Sequence, residues 1–138
     1  TDMTTSRIHF FVNDSLVHTL TSPVIERPNG LWAWEDLLLI GTRDKVLRMQ
    51  WELRELEGFF EGTGSVDGLI GLGPDAVIIS DWAGKVTLLR EAQPPQVLLD
   101  GTEKKVNAAD LGWHAGRNML LVPTFFDNRV KAYELLMK

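Results

Sequence analysis

Side chains that end in an amide or carboxylate recur along this sequence at intervals of about 40 residues. Asn29 lies in RPNGLWAW, Asp67 in SVDGLIGL and Asn107 in KVNAADLGW, which gives steps of 38 and 40 residues. Each is followed by a glycine or an alanine and then by an apolar segment. Amide and carboxylate oxygens are the ligands that hard cations prefer, and Ca²⁺ binds about 6–8 of them. If the fold brings these side chains together, they would form a site for calcium or magnesium.

The same residues have a second interpretation as turns. Asn-Gly and Asp-Gly pairs are strong turn signals in any protein. The third copy, Asn107-Ala108, lacks the glycine and still keeps the amide. From the sequence alone, the site and the simple turn both stay open.

The elements that would position these side chains repeat with them. A basic residue, a β-branched residue and alternating apolar residues recur in four segments: RIHFF from Arg7, KVLRM from Lys45, KVTLL from Lys85 and RVKAY from Arg129. Apolar runs precede three of these segments, at 37–42, 76–81 and 119–124. Another apolar element follows three of them, at 15–20, 55–60 and 96–100. The unit therefore holds four short strands separated by turns.

Four strands in each repeat of about 40 residues are typical of a β-propeller. We predict an all-β chain with about three four-stranded blades, near 24–62, 63–101 and 102–138, preceded by strands within 7–20. Residues 1–138 would then form a single half-propeller domain. One segment, 45–60, has apolar residues at spacings of 3 and 4 that are typical of an amphipathic helix. Its register with the other copies favours two strands instead.

The composition excludes several classes of function. The net charge is −5 and there is no basic block, which argues against binding of nucleic acid. No apolar run approaches the roughly 18–20 residues of a membrane span. The absence of cysteine removes disulfides, zinc–thiolate sites and cysteine nucleophiles. We expect a soluble protein, and the sequence does not decide between cytoplasm and periplasm.

Several segments of the sequence resemble those of a known protein family. PNGLWAW, VDGL, ISDWAGKVTLL and the segment from VNAADLGW to LLVPTFFDNRVKAYEL are similar to the C-terminal half of six-bladed propellers of the senescence marker protein 30/gluconolactonase type. The resemblance implies hydrolysis of a lactone or ester that depends on a divalent metal, with calcium preferred, in the central channel. It implies that Asn29 and Asp67 are metal ligands and that Asp67 is also the general base.

The resemblance gives Asn107 no ligand role. We expect this residue to line the same channel from the next blade. Trp82 and Phe125 occupy comparable places after the second strand of their repeats, and we expect them to line the channel mouth or a substrate pocket. The family's third ligand, a glutamate in the N-terminal half, has no counterpart in this sequence.

A half-propeller has to cover its open ends, because three blades cannot close a ring. Two copies could associate head to tail as a homodimer with six blades, or the chain could belong to a longer protein. Two chains would supply 26 strands where six blades need 24. Either the segment from Arg7 lies outside the ring, or strand 15–20 of one copy becomes the outer strand of the other.

Three functions stay open from the sequence. The first is a metal-dependent hydrolase of the lactonase type. The second is a propeller module that binds a small molecule or a partner without catalysis. The third is a structural remnant of a truncated gene.

Overall fold

The computed structural model describes residues 1–136, and this part of the chain consists of β-strands joined by turns, with no α-helix. The strands are β1 (Ile8–Val12), β2 (Ser15–Leu20), β3 (Leu31–Trp34), β4 (Leu37–Gly41), β5 (Lys45–Gln50), β6 (Leu56–Glu61), β7 (Leu69–Gly71), β8 (Ala76–Ser80), β9 (Lys85–Arg90), β10 (Gln96–Asp100), β11 (Gly112–His114), β12 (Met119–Pro123) and β13 (Val130–Glu134). Single turns of 3-10 helix follow β11 and β12, at Ala115–Arg117 and Phe125–Asp127.

Each sheet is built from consecutive antiparallel strands. The sheets are β1–β2, β3–β4–β5–β6, β7–β8–β9–β10 and β11–β12–β13. They are named here the N-terminal hairpin and the first, second and third blades. This arrangement confirms the predicted all-β fold with propeller-like blades that do not close into a ring.

The helical alternative for 45–60 is wrong. These residues form β5, a turn and most of β6. Val46 and Leu47 are neighbours on opposite faces of β5, and both are buried. Because both faces of this strand are covered, its apolar residues do not alternate with polar ones, and the helical spacing is a coincidence.

The sheets stack face to face with an apolar core between each successive pair. The hairpin packs on the first blade through Ile8, Ile25, Leu38, Ile40, Leu47 and Met49. The first and second blades share Leu39, Val46, Val66, Leu69, Val77, Ile79 and Leu89. The second and third blades share Ile70, Ile78, Val86, Leu88, Ala108, Leu120 and Val122. Every internal sheet therefore buries both of its faces, which is why its strands read as continuous apolar runs.

The recurring basic residue closes a turn of the same construction in every sheet. Its backbone carbonyl accepts a hydrogen bond from a threonine or aspartate three to five residues earlier. The four bonds run from Asp2 N to Arg7 O (2.8 Å), from Thr42 N to Lys45 O (2.9 Å), from Asp81 N to Lys85 O (3.0 Å) and from Thr124 N to Arg129 O (2.9 Å). The polar residue that opens the turn and the basic residue that closes it together explain the sequence signature of the repeat.

The two ends of the arc expose apolar side chains. Val130 on β13 is 65% exposed, and Phe11, Val12, Leu16 and Val17 of the hairpin are also exposed. The accessible surface is 8532 Å², whereas a compact monomer of 15.5 kDa has about 7,200 Å². The open arc therefore exposes about 1,300 Å² more than a closed globule of this mass.

Two glycines allow the inner strands of neighbouring blades to approach closely. A Cβ atom on Gly68 would lie 2.5 Å from the Asp110 carbonyl carbon and 2.6 Å from the Leu111 nitrogen. A Cβ atom on Gly30 would lie 2.9 Å from the Asp67 carbonyl oxygen. The glycines that follow Asn29 and Asp67 are thus needed for contact between blades.

We therefore expect Gly68→Ala to destabilise the fold by about 1–3 kcal/mol, because its methyl group would meet backbone atoms that cannot rotate away. Gly116→Ala is the matched control, since its Cβ atom would meet only the His114 side chain at 3.5 Å. Urea unfolding of both variants measures the difference. Equal stability of the two variants would contradict the close approach described here.

Candidate functional site

The recurring polar residues and the turns described above lie at one edge of the blades. Antiparallel pairing places Leu31 opposite Ile40, Leu69 opposite Ile79 and Gly112 opposite Leu121. The start of each inner strand is therefore next to the end of the second strand. This edge, at which β3, β7 and β11 begin, is named the polar edge.

Asn29 and Asp67 meet at the polar edge although 38 residues separate them. The Asn29 side-chain Nδ2 donates a hydrogen bond to Oδ1 of Asp67. Equivalent backbone bonds hold both residues: Asn29 N donates to Gly41 O (3.0 Å) and Asp67 N donates to Ser80 O (2.8 Å). Successive blades thus bring together the two residues that the resemblance names as metal ligands.

Asn107 occupies a different place. In the third blade, the bond equivalent to those of Asn29 and Asp67 runs from Ala109 N to Pro123 O at 3.1 Å. The hydrogen-bond register therefore assigns the equivalent position to Ala109, and Asn107 lies two residues earlier. Its Nδ2 donates to the backbone oxygen of Trp82 at 2.7 Å. Asn107 thus joins the second blade's turn to the third blade, and it is not bonded to Asp67.

Asp110 is a member of the site that the sequence did not indicate. It follows Ala109 and occupies the place of Gly30 and Gly68, with φ of 61° in the left-handed region. Its backbone amide and its charge both act on the pKa of the Asp67 carboxyl group. The available signal was the VNAAD segment, in which the acid stands where the other repeats have glycine.

Burial raises the pKa of Asp67 above its ordinary value, because the half-buried carboxylate loses hydration. Hydrogen bonds with the Asp110 backbone and the Asn29 amide act in the opposite direction, and the charges of Asp110 and Asp81 raise the pKa further. Burial is the largest of these causes. Asp67 is therefore a stronger base than an exposed aspartate, which suits a group that accepts a proton from water.

Three aromatic side chains form an exposed group that follows the second strands of the second and third blades. Trp82 follows β8, and Phe125 and Phe126 follow β12. The Trp82 and Phe125 ring centroids are 4.9 Å apart, and those of Phe125 and Phe126 are also 4.9 Å apart, in edge-to-face arrangements. Phe126 is 73% exposed. Trp82 and Phe125, which occupy comparable places in their repeats, are in direct contact across two blades. The three aromatic side chains together are named the aromatic cluster.

The donor set limits what the site can hold. Within residues 1–136, no group of three or more histidine, aspartate or glutamate side chains is placed to hold a metal ion. Asn29 and Asp67 supply oxygen donors of the kind that calcium prefers, but they are fewer than the roughly six to eight that it binds. The donors fit a hard cation in type, and water or another chain would have to complete their number.

Comparison with known proteins identifies the fold and no more. Neither protein-family models nor curated protein sequences give a match. The crystal structure of the computationally designed Ika4 protein is similar with a TM-score of 0.59 and 12% identity, over 89% of this chain and 74% of that one. The computationally designed Ika8 protein has a TM-score of 0.58 and 13% identity, over 88% of this chain and 37% of that one.

These likenesses support a repeated β architecture, and at such low identity they show the fold alone. The described residues also contain no helix that is long and apolar enough to cross a membrane. The family named under Sequence analysis stays a hypothesis.

The raised pKa of Asp67 predicts a specific pH dependence of stability. The folded state holds this proton to higher pH than the unfolded state, so its contribution to stability is lost as pH rises above the ordinary pKa of 3.8 and through the higher pKa of the folded state. Asp67→Asn removes the titration. We expect the variant to gain stability relative to the wild type between pH 3 and about pH 7 in urea unfolding. A difference that stays constant across this range would contradict the assignment.

Proposed function

We propose that the chain is a propeller unit of the senescence marker protein 30/gluconolactonase type, which hydrolyses a lactone or ester at the polar edge with the aid of a divalent cation. The observation that carries this proposal is the contact between Asn29 and Asp67 across two blades, beside Asp110. A purely local turn would satisfy each side chain within its own repeat. Here the amide and the carboxylate are directed at each other.

Asn29 and Asp67 would hold the cation, and calcium suits a set of amide and carboxylate oxygens best. When bound, the cation would polarise the substrate carbonyl as a Lewis acid. The Asn29 amide would present its oxygen instead of its nitrogen by rotating about its side chain, so the hydrogen bond to Asp67 and the ligand role are alternative states of one residue.

Asp67 would act as the general base. Its carboxylate accepts a proton from water while the water oxygen bonds to the carbonyl carbon. The C–O bond of the lactone or ester then breaks, and the proton passes to the leaving oxygen. The raised pKa of Asp67 lies closer to the working pH than that of an ordinary aspartate, which favours the transfer of the proton from water to Asp67. The aromatic cluster would hold the apolar part of the substrate at the channel mouth.

Homodimerisation would complete both the ring and the site. The excess of about 1,300 Å² of accessible surface per chain exceeds the roughly 800 Å² that each partner buries in a standard interface. The apolar residues at the two ends of the arc favour a head-to-tail contact. In such a ring Asn29 and Asp67 occur twice around one channel, which would supply oxygens in place of the missing glutamate.

A binding module without catalysis is the second candidate, and the aromatic cluster favours it. Three exposed and adjacent aromatic side chains are uncommon at turns that need only to connect strands. They offer flat apolar faces beside hydrogen-bonding groups, which is sufficient to bind a small molecule. In this case neither calcium nor Asp67 would matter.

Calcium titration separates the two candidates. We expect calcium at 100 times its Kd to stabilise the wild type by about 2.7 kcal/mol, seen as a higher Tm. The same stabilisation should be absent in Asp67→Asn, because the variant loses a charged ligand with little change in shape.

Asp75→Asn is the matched control, since Asp75 is an exposed aspartate in the turn before β8. This variant should respond to calcium as the wild type does. Insensitivity of the wild type to both calcium and chelator would refute the hydrolase and leave the binding module.

Solution mass tests the dimer. We expect light scattering to give twice the chain mass of 15.5 kDa. Val130→Lys should shift the mass toward the monomer, because it places a charge on the open face of the third blade. Lys substitution of Val97, which is exposed on β10 away from the open faces, is the control. A wild-type monomer would contradict ring closure by two copies.

A further inference from the structure

A cavity of about 160 Å³ lies in the cleft between the second and third blades, away from the Asn29–Asp67 pair. Its floor is apolar and includes Val86, Leu99 and Val122, and its walls include Lys104, Lys131 and Tyr133. We propose that this cavity binds a small organic carboxylate. The proposal does not depend on the hydrolase, because the site uses different side chains.

The cavity exists because the third blade departs from the pattern of the other two. On the third strand of each blade, two residues face the preceding sheet. They are Leu47 and Met49 in the first blade, Thr87 and Leu89 in the second, and Lys131 and Tyr133 in the third. The strand register confirms that these positions are equivalent, because each pair lies opposite two apolar residues of the second strand. Leu47 and Met49 lie opposite Ile40 and Leu38. Thr87 and Leu89 lie opposite Ile79 and Val77, and Lys131 and Tyr133 lie opposite Val122 and Leu120.

This departure changes the packing of the cleft. Met49 is 0% exposed within its core, whereas Tyr133, in the equivalent position, is 36% exposed. A protein that needed only a packed interface would keep uncharged residues that fill the space here, as the two other clefts do with Leu47, Met49, Thr87 and Leu89. The third cleft instead carries an ammonium group and a phenol above an apolar floor.

The charges at the cavity favour an anion. Lys104 and Lys131 bring two ammonium groups to the lining, and Tyr133 adds a hydroxyl donor. Asp100 also lines the cavity, so the lining carries two positive charges and one negative charge, and the Asp100 carboxylate accepts hydrogen bonds from the backbone and hydroxyl of Thr102. Asp127 lies 3.9 Å from the Lys131 Nζ and also 3.7 Å from Arg129, so its charge is shared.

The size of the cavity limits the body of the ligand. An engineered apolar cavity of about 150 Å³ binds benzene. A single ring or a short alkyl chain therefore fits the floor, while its carboxylate would lie between the lysines. A neutral ligand of the same shape would keep the apolar contacts and lose the charge-assisted hydrogen bonds.

The test uses benzoate and its neutral analogue benzamide with the full chain. Tyr133 is the single tyrosine in the sequence, so its ring resonances report directly on the cavity by NMR. We expect saturable shifts with benzoate and affinity at least about tenfold lower for benzamide. Lys131→Met should weaken benzoate binding by about tenfold while leaving benzamide unchanged.

Lys105→Met is the matched control, because Lys105 is an exposed lysine next to Lys104 that does not line the cavity. It should leave benzoate affinity unchanged, and so should Asp67→Asn, which separates this site from the proposed hydrolase. Equal affinity for the two probes, equal effects of the two lysine variants, or no saturable shift of Tyr133 would each overturn the proposal.

Discussion

The structure depends on the burial of both faces of each internal sheet. In the first and second blades, neighbouring residues such as Val46 and Leu47 point to opposite faces and are both buried. A sheet with two apolar faces needs a layer on each side, and here the layers are other sheets of the same repeat. Stacking in sequence order follows from this constraint, and it leaves the last sheet with one uncovered face.

The same stacking creates the polar edge. Because each blade is an antiparallel meander, its inner strand begins beside the end of its second strand. The close approach at Gly30 and Gly68 then brings one inner strand against the next, which is what allows Asn29 to bond Asp67. The packing of backbone against backbone therefore comes first, and the polar contact depends on it.

The third blade has charged or polar side chains at positions where the other two blades have different residues. Asp110 replaces a glycine at the polar edge, and Lys131 and Tyr133 replace core residues in the cleft. Substitutions of this kind cost packing energy, so the positions at which they occur are candidates for functional sites. They mark the third blade as the place where charged or polar side chains stand at positions that pack differently in the other two blades.

The sequence by itself determined the strand pattern and the length of the repeat, because both follow from spacing along the chain, and it left open whether Asn29 and Asp67 meet or only form turns. The helical spacing over 45–60 arises because both faces of β5 are buried, and the register with the other copies already favoured two strands. The tertiary structure alone decided that Ala109 takes the position assigned to Asn107, that Asp110 joins the site, and that a cavity remains beside Lys131. Those features depend on hydrogen-bond register and on side-chain volumes across two sheets, which a repeat of about 40 residues does not encode.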